Sequence, residues 1–246
     1  MTTLAAQGDR YDMSENTIVG GPPENTEREK QLAAEAAVDY VKDGMVLGLG
    51  TGSTVNYLLP ALARRDLTLT CVSTSPRTED LARSLGVAVE SFAGLDAPAH
   101  LDLAIDGADQ VDPAGWLVKG AGAAHTREKR VAAAADEFVV IVSGNKIVER
   151  ICAPVPLELL EYGLAATLRD LEQWGEVRLR DVPRSPDGGV IADYFGPVDD
   201  VAELAVRLST LPGVIDHGLF APSLVSTVVV ARGESVEHIT IGKPSS

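Results

Sequence analysis

The segment Lys119-Gly120-Ala121-Gly122-Ala123-Ala124-His125-Thr126-Arg127-Glu128-Lys129 sets a lysine beside a glycine-rich turn, with a glutamate nine residues on, in the first turn of an expected helix. A cation and a carboxylate around one small cavity form an acid/base constellation. Glu128 alone could also be an ordinary acid complementing the positive end of a helix. Asp106-Gly107-Ala108-Asp109 ends the apolar run Leu101 to Ile105. In an open α/β sheet the carboxyl ends of strands face the ligand crevice, so these acids belong where a substrate would lie, although either one alone could cap a turn. No histidine or further acid stands at ligand spacing nearby, and no metal is expected there.

Gly48-Leu49-Gly50-Thr51-Gly52-Ser53-Thr54 falls between an expected strand and an expected helix. Glycines let a backbone approach a ligand closely, and a helix N-terminus offers free N–H groups to a phosphate. Ser53 and Thr54 add hydroxyl donors. The segment lacks both the GxGxxG spacing of dinucleotide folds and the lysine of a P-loop, so it points to neither NAD nor ATP. Taken alone it also reads as a plain tight turn. Lys146, after Val142-Ser143-Gly144-Asn145, follows another strand end and could reach the same crevice.

The elements that must position these groups alternate along the chain. Thr26 and Glu29 have capping-box spacing, and Leu32, Ala33, Ala36, Ala37, Tyr40 and Val41 recur at helical period, predicting a helix over 27–42 that Gly44 stops. Strands are expected at 45–49, 69–73, 87–89, 103–105 and 138–142, and helices at 54–65, 78–85 and 126–135. Short apolar runs between amphipathic helices predict an α/β fold with an open, doubly wound, mainly parallel sheet. From 155 to 221 the texture changes to shorter strands, 177–179 and 190–193, around helices near 162–174 and 199–209. This stretch reads as a smaller α+β lobe inserted before a C-terminal strand at 226–231. The catalytic α/β part is then 25–154 with 222–246, and residues 1–24, polar and without periodicity, read as a flexible leader.

The chain has 246 residues and a formal net charge of −15. That length supports a substantial core, and the acidic balance argues against partners that need a basic footprint, namely nucleic acid and anionic membrane. An anionic substrate must be held by local cations. No apolar run is long enough to span a bilayer, and no signal peptide is read at the N-terminus. Cys71 and Cys152 lack CxxC spacing and lie in or beside apolar stretches, which fits reduced thiols and a cytoplasmic setting.

Together, GTGST at 50–54, DGAD at 106–109, and KGAGAAHTREK at 119–129 with Lys146 at the matching distance resemble the ribose-5-phosphate isomerase A family, and the similarity runs from about Lys30 to the C-terminal strand. Pro212-Gly213-Val214 and Gly218-Leu219-Phe220-Ala221 resemble its C-terminal part. The resemblance implies aldose-ketose isomerisation of D-ribose 5-phosphate and D-ribulose 5-phosphate through a cis-enediolate, with no metal or organic cofactor. It implies Glu128 as the base, with Asp106, Asp109 and Lys119 holding hydroxyls, assisting ring opening and stabilising the enediolate. Ser53 and Thr54 would bind phosphate, helped by Lys30 and Lys146. Thr51, Gly52, Gly107 and Ala108, with Gly120, Ala121 and Gly122, complete the expected substrate contacts. It also implies a homodimer or homotetramer.

Three departures from the family pattern bear on which sugar phosphate is used. Ser143 stands where an acid is usual, Ser185-Pro186-Asp187-Gly188-Gly189 replaces a TDNGN signature, and His125 replaces an apolar residue three positions before Glu128. A paralogue acting on another sugar phosphate, and a sugar-phosphate sensor without catalysis, are the alternatives. Retention of Glu128 and the absence of a helix-turn-helix or basic segment weigh against the sensor.

Overall fold

A computed structural model describes residues 23–242. The expected leader falls outside the described residues, except for Pro23 and Glu24, which open the first helix. In chain order the elements are α1 (Pro23–Ala37), β1 (Val46–Leu49), α2 (Val55–Ala63), β2 (Thr70–Ser73), α3 (Pro76–Ser84), β3 (Val89–Glu90) and β4 (Leu101–Asp106). Then follow β5 (Gln110–Val111), β6 (Leu117–Val118), α4 (His125–Ala134), β7 (Ala135–Ser143), β8 (Val155–Leu159), α5 (Leu164–Glu172) and β9 (Val177–Leu179). The chain closes with β10 (Val190–Tyr194), α6 (Val201–Thr210), β11 (Val214–His217), β12 (Leu219–Phe220), β13 (Thr227–Arg232) and β14 (Ser235–Thr240).

The main sheet has the order β14-β13-β7-β4-β1-β2-β3, parallel throughout except for β14, which pairs antiparallel on the outer side of β13. The chain winds outward from β1 through β2 to β3, then returns to the other side of β1 and continues through β4, β7 and β13. The winding reverses between β1 and β4, and in such sheets a crevice opens there beyond the carboxyl ends of the strands. The Gly50–Thr54 turn leaves β1 and the Asp106–Asp109 turn leaves β4 at that point.

Alternation along the strands explains the two covered faces. Leu47, Leu49, Leu103, Ile105, Val139 and Ile141 pack with α1 and α2, through Ala33, Ala37, Leu58 and Leu62. Ala104, Val140, Val142, Val228 and Val230 face the other way, against Val131 and Ala132 of α4 and Phe220. Each fully buried Val or Leu contributes about 1.5–3 kcal/mol, so these two layers fix the strand register. Gly48 lets α4 lie close to β1, because a Cβ there would fall 2.4 Å from Val131 Cγ1. Cys71 is fully buried in β2, where desolvation pushes its thiol up to about 11.

A separate antiparallel sheet, β11-β8-β10-β9, carries α5 and α6 and has its own core around Leu157, Leu159, Leu171, Ala192, Tyr194 and Leu208. A three-stranded ribbon, β12-β6-β5, joins Leu219–Phe220 to the strand that precedes Lys119.

The expected helices and main-sheet strands are all present, with ends moved by a few residues. The first helix differs most. It begins at Pro23, a residue suited to a first helical position, and its α-helical part ends at Ala37, before a 3-10 turn at Val38–Tyr40. Thr26 and Glu29 therefore form no capping box. Instead, the buried Glu29 carboxylate accepts the N–H of Gly144 at 3.0 Å and of Gly233 at 2.8 Å, tying α1 to the ends of β7 and β13. Strands β5, β6, β8, β11, β12 and β14 had no expectation. Four are short, β8 contains Pro156, and β14 is a mostly exposed edge, so none carries a strong period-two pattern.

Candidate active site

A cavity of about 310 Å³ lies at the reversal of the main sheet. Of the fifteen residues that the sequence nominates, fourteen line it; the fifteenth, Asp106, sits behind Lys119. Two lining residues were not anticipated. Thr26 is four positions before Lys30 on α1, so helical spacing was the signal for it, and Asn145 directly precedes Lys146.

Its floor is a buried charge cluster. Lys119 leaves β6, Asp106 ends β4 and Glu128 stands on the first turn of α4. The Lys119 ammonium donates to the carbonyl of Gly107 and faces Asp106 Oδ2 at 2.9 Å and Glu128 Oε2 at 3.3 Å. All three side chains are 3–4% exposed. Among the described residues the Lys119 ammonium is the polar group that faces these two carboxylate oxygens. Both are charge-paired with that ammonium and enclosed by protein.

Burial sets the protonation of this cluster. Desolvation pushes Glu128 up to about 8, against the pull of Lys119 and with the help of Asp106 and Asp109. Asp106 is also raised by burial, opposed by Lys119. However, Asp106 Oδ1 accepts N–H groups from Gly107 at 2.7 Å and Thr51 at 3.0 Å, which favour its charged form. Among the described residues no backbone N–H donates to the Glu128 carboxylate, so Lys119 is what opposes its desolvation. Desolvation works to lower Lys119, but Asp106 and Glu128 outweigh it and hold the ammonium above its usual range.

The turn after β1 is built around Asp106. A Cβ on Gly50 would fall 2.0–2.1 Å from the Asp106 carboxyl group, so only glycine lets that carboxylate sit under the turn and receive the Thr51 N–H. We expect Gly50→Ala to cost about 2 kcal/mol through overpacking against a buried charge, measurable as a lowered urea midpoint. The Thr51 hydroxyl is engaged with Thr74, Ser75 and Thr78, and Thr78 donates to the Gly50 carbonyl. Thr51 thus locks the turn to the start of α3. Thr54 stands at the N-cap of α2, yet its hydroxyl makes no cap bond and stays available to the cavity. Lys30 enters from α1, its ammonium 2.5 Å from Glu27, and Lys146 from the turn after β7, so hydroxyls, helix-start N–H groups and two lysines share one end of the cavity.

Asp109 accepts the Ala121 N–H at 3.0 Å across the cavity mouth. The backbone N–H of Lys119 is fixed by the carbonyl of Gly218 at 2.8 Å, and a Cβ on Gly218 would fall 2.1 Å from the Lys119 carbonyl oxygen. His125 is fully buried beside Gly120, and burial pushes it down to about 3, so it is neutral. The departing segment at 185–189 docks on the same helix. Ser185 and Thr126 both donate to the buried Glu158, and Asp187 pairs with Arg127 through bonds of 2.7 and 2.8 Å.

The family model for ribose 5-phosphate isomerase A (phosphoriboisomerase A) matches residues 70–235. The chain belongs to that family. The ribose-5-phosphate isomerase A of Roseiflexus castenholzii is 41% identical over 224 residues, 85% of this chain and 94% of its own length. That of Methanothermobacter thermautotrophicus is 39% identical over 222 residues, 85% and 96% of the two chains. Among solved structures, ribose 5-phosphate isomerase A from Neisseria gonorrhoeae superposes with a TM-score of 0.83 at 31% identity, covering 89% of this chain and 98% of that one. A D-ribose-5-phosphate isomerase in complex with phospho-erythronic acid gives 0.81 at 35% identity, covering 88% and 99%. The α/β fold and parallel sheet of this family member agree with those structures. No helix among its described residues is long and apolar enough to cross a membrane.

Proposed function

We propose that this chain interconverts D-ribose 5-phosphate and D-ribulose 5-phosphate, with Glu128 as the base. The observation that carries the reading is a buried glutamate, raised to about 8, paired with Lys119 at one end of a cavity whose other end is a phosphate-type nest. A general base works best when its pKa lies near the operating pH.

The phosphate is held by Ser53, Thr54, the N–H groups at the start of α2, Lys30 and Lys146. This places the reacting carbons over the buried cluster. Asp109 holds sugar hydroxyls and assists opening of the ring, and Asp106 acts from behind by holding the Lys119 ammonium in place. Glu128 takes the proton from C2 of the open aldose and delivers it to C1, while a proton passes from O2 to O1. The intermediate is a cis-enediolate, and its charge is met by Lys119 and by backbone N–H groups of the Gly120–Gly122 turn. Phospho-erythronic acid, the ligand of one related isomerase, fits this reading. Its carboxylate presents two oxygens on one planar carbon, as an enediolate presents two oxygens side by side.

The test is an isomerase assay of the purified protein on ribose 5-phosphate with chelator present, beside the Glu128→Gln variant. Chelator-resistant turnover that the variant lacks supports the reading. Binding of the sugar phosphate without turnover overturns it in favour of a sensor, and neither binding nor turnover overturns it in favour of another substrate. Lys146→Ala separates the two ends of the cavity. We expect KM to rise about tenfold, equivalent to about 1.4 kcal/mol of lost phosphate contact, with kcat changed far less.

A further inference from the structure

Arg180 follows β9 and stands between the small sheet and the glycine turn of the cavity. Its Nε and Nη2 donate to the two oxygens of Asp193 on β10, at 2.6 and 2.5 Å. Its Nη1 donates to the carbonyls of Gly120 at 2.8 Å and Ala121 at 3.2 Å. Both side chains of this ion pair are largely buried. One guanidinium therefore joins β10 to the turn that follows Lys119.

The turn needs that support. Gly120 has φ +114° and Ala123 has φ +57°, a left-handed conformation that an alanine adopts only at a cost of about 1 kcal/mol. The Gly120–Ala121 peptide is held at both ends, its carbonyl by Arg180 at 2.8 Å and by the Ala123 N–H at 3.0 Å, and its N–H by Asp109. In the next peptide, Arg180 takes the Ala121 carbonyl, and trans geometry points the Gly122 N–H the opposite way. Among the described residues that N–H has no partner, and Gly122 lines the cavity.

We infer that Arg180, backed by Asp193, is a positioning residue for the isomerase reaction: it orients the Gly120–Gly122 peptides so that their N–H groups serve Asp109 and the substrate oxygens. A fork-shaped guanidinium makes four N–H···O bonds here, to both oxygens of a carboxylate and to two carbonyls, one more than the three N–H groups of a lysine can make. The inference rests on the isomerase reading for its effect on rate, but its effect on the turn is independent of it.

The experiment compares the full chain carrying Arg180→Ala, Arg180→Lys or Asp193→Asn with the wild type. For Arg180→Ala we expect kcat to fall about 10- to 100-fold, the scale of a small misplacement of donors, while KM stays within about threefold because the phosphate end is untouched. Guanidinium at millimolar concentration should restore part of that kcat, and Arg180→Lys should recover less than the rescued variant. Amide hydrogen exchange at Ala121 should quicken in Arg180→Ala relative to amides of the main sheet. Wild-type kcat with unchanged exchange at Ala121 would overturn the inference. So would a loss of kcat that guanidinium does not restore and that accompanies uniformly faster exchange across the protein. If Arg180→Ala does not fold, Asp193→Asn must show the same split of kcat from KM on a smaller scale, and its absence counts against the inference. If the wild type does not turn over ribose 5-phosphate, the isomerase reading fails, and exchange at Ala121 alone decides whether Arg180 holds the turn.

Discussion

Glu128→Gln is expected to lower kcat on ribose 5-phosphate by about 10³-fold, within the span that a positioned acid/base group supplies, while the sugar phosphate still binds. The side chain keeps its shape and its place on α4, so the cavity persists and only the proton carrier is lost. The same carboxyl sets the pH dependence of the wild type. Because desolvation pushes Glu128 up to about 8, its basic form is scarce at pH 6 and dominant above pH 8. On the acid side kcat/KM should rise about tenfold per pH unit and level off near 8. Stability moves the other way. The folded protein keeps this proton to higher pH than an unfolded chain, whose glutamate titrates near 4.5, so the group's contribution is complete below 4.5 and is lost as pH rises towards 8. The Gln variant has no such loss, and its Tm relative to wild type should increase from pH 5 to pH 8. A flat difference, or near-normal kcat in the variant, would remove Glu128 from its assigned role.

Lys119→Met is expected to damage both turnover and folding. The lysine stem is fully enclosed, and Met fills much of that space, so the principal loss is charge. Without the ammonium, Asp106 and Glu128 are two buried carboxyls close to one another, with no cation against them. Breaking a buried pair in this way costs about 3–5 kcal/mol when the remaining group stays ionised. Protonation relieves that cost. The loss of stability should therefore be largest near pH 8 and smaller at pH 5, as read from urea unfolding at the two pH values. Turnover should fall by about 10²- to 10³-fold, comparable to removal of one donor to a developing oxyanion. Equal destabilisation at both pH values would mean that packing, and not the charge cluster, depends on Lys119.

Much of this architecture is legible without coordinates because the signals are local. A period of two or of 3.6 in apolar residues needs only neighbours in sequence, so the helices and core strands of the main sheet could be placed from Met45 to Ala231. The three motifs also carry their chemistry in short spans: hydroxyls after a glycine turn, two acids at a strand end, and a lysine nine residues before a glutamate. These fix which residues gather at the crevice of a doubly wound sheet.

Tertiary structure decided how those residues act on one another. Glu29 looks like a helix cap in sequence, but its oxygens bond to Gly144 and Gly233, residues brought near α1 only by the order of β7 and β13. Arg180 and Glu158 carry no motif; their partners Gly120, Asp193, Thr126 and Ser185 lie far along the chain. The protonation of Glu128 likewise depends on burial and on Asp106 and Lys119 packed around it. Sequence determines the chemical groups and their local elements, whereas desolvation and contacts between distant residues exist only after the sheet has closed around them.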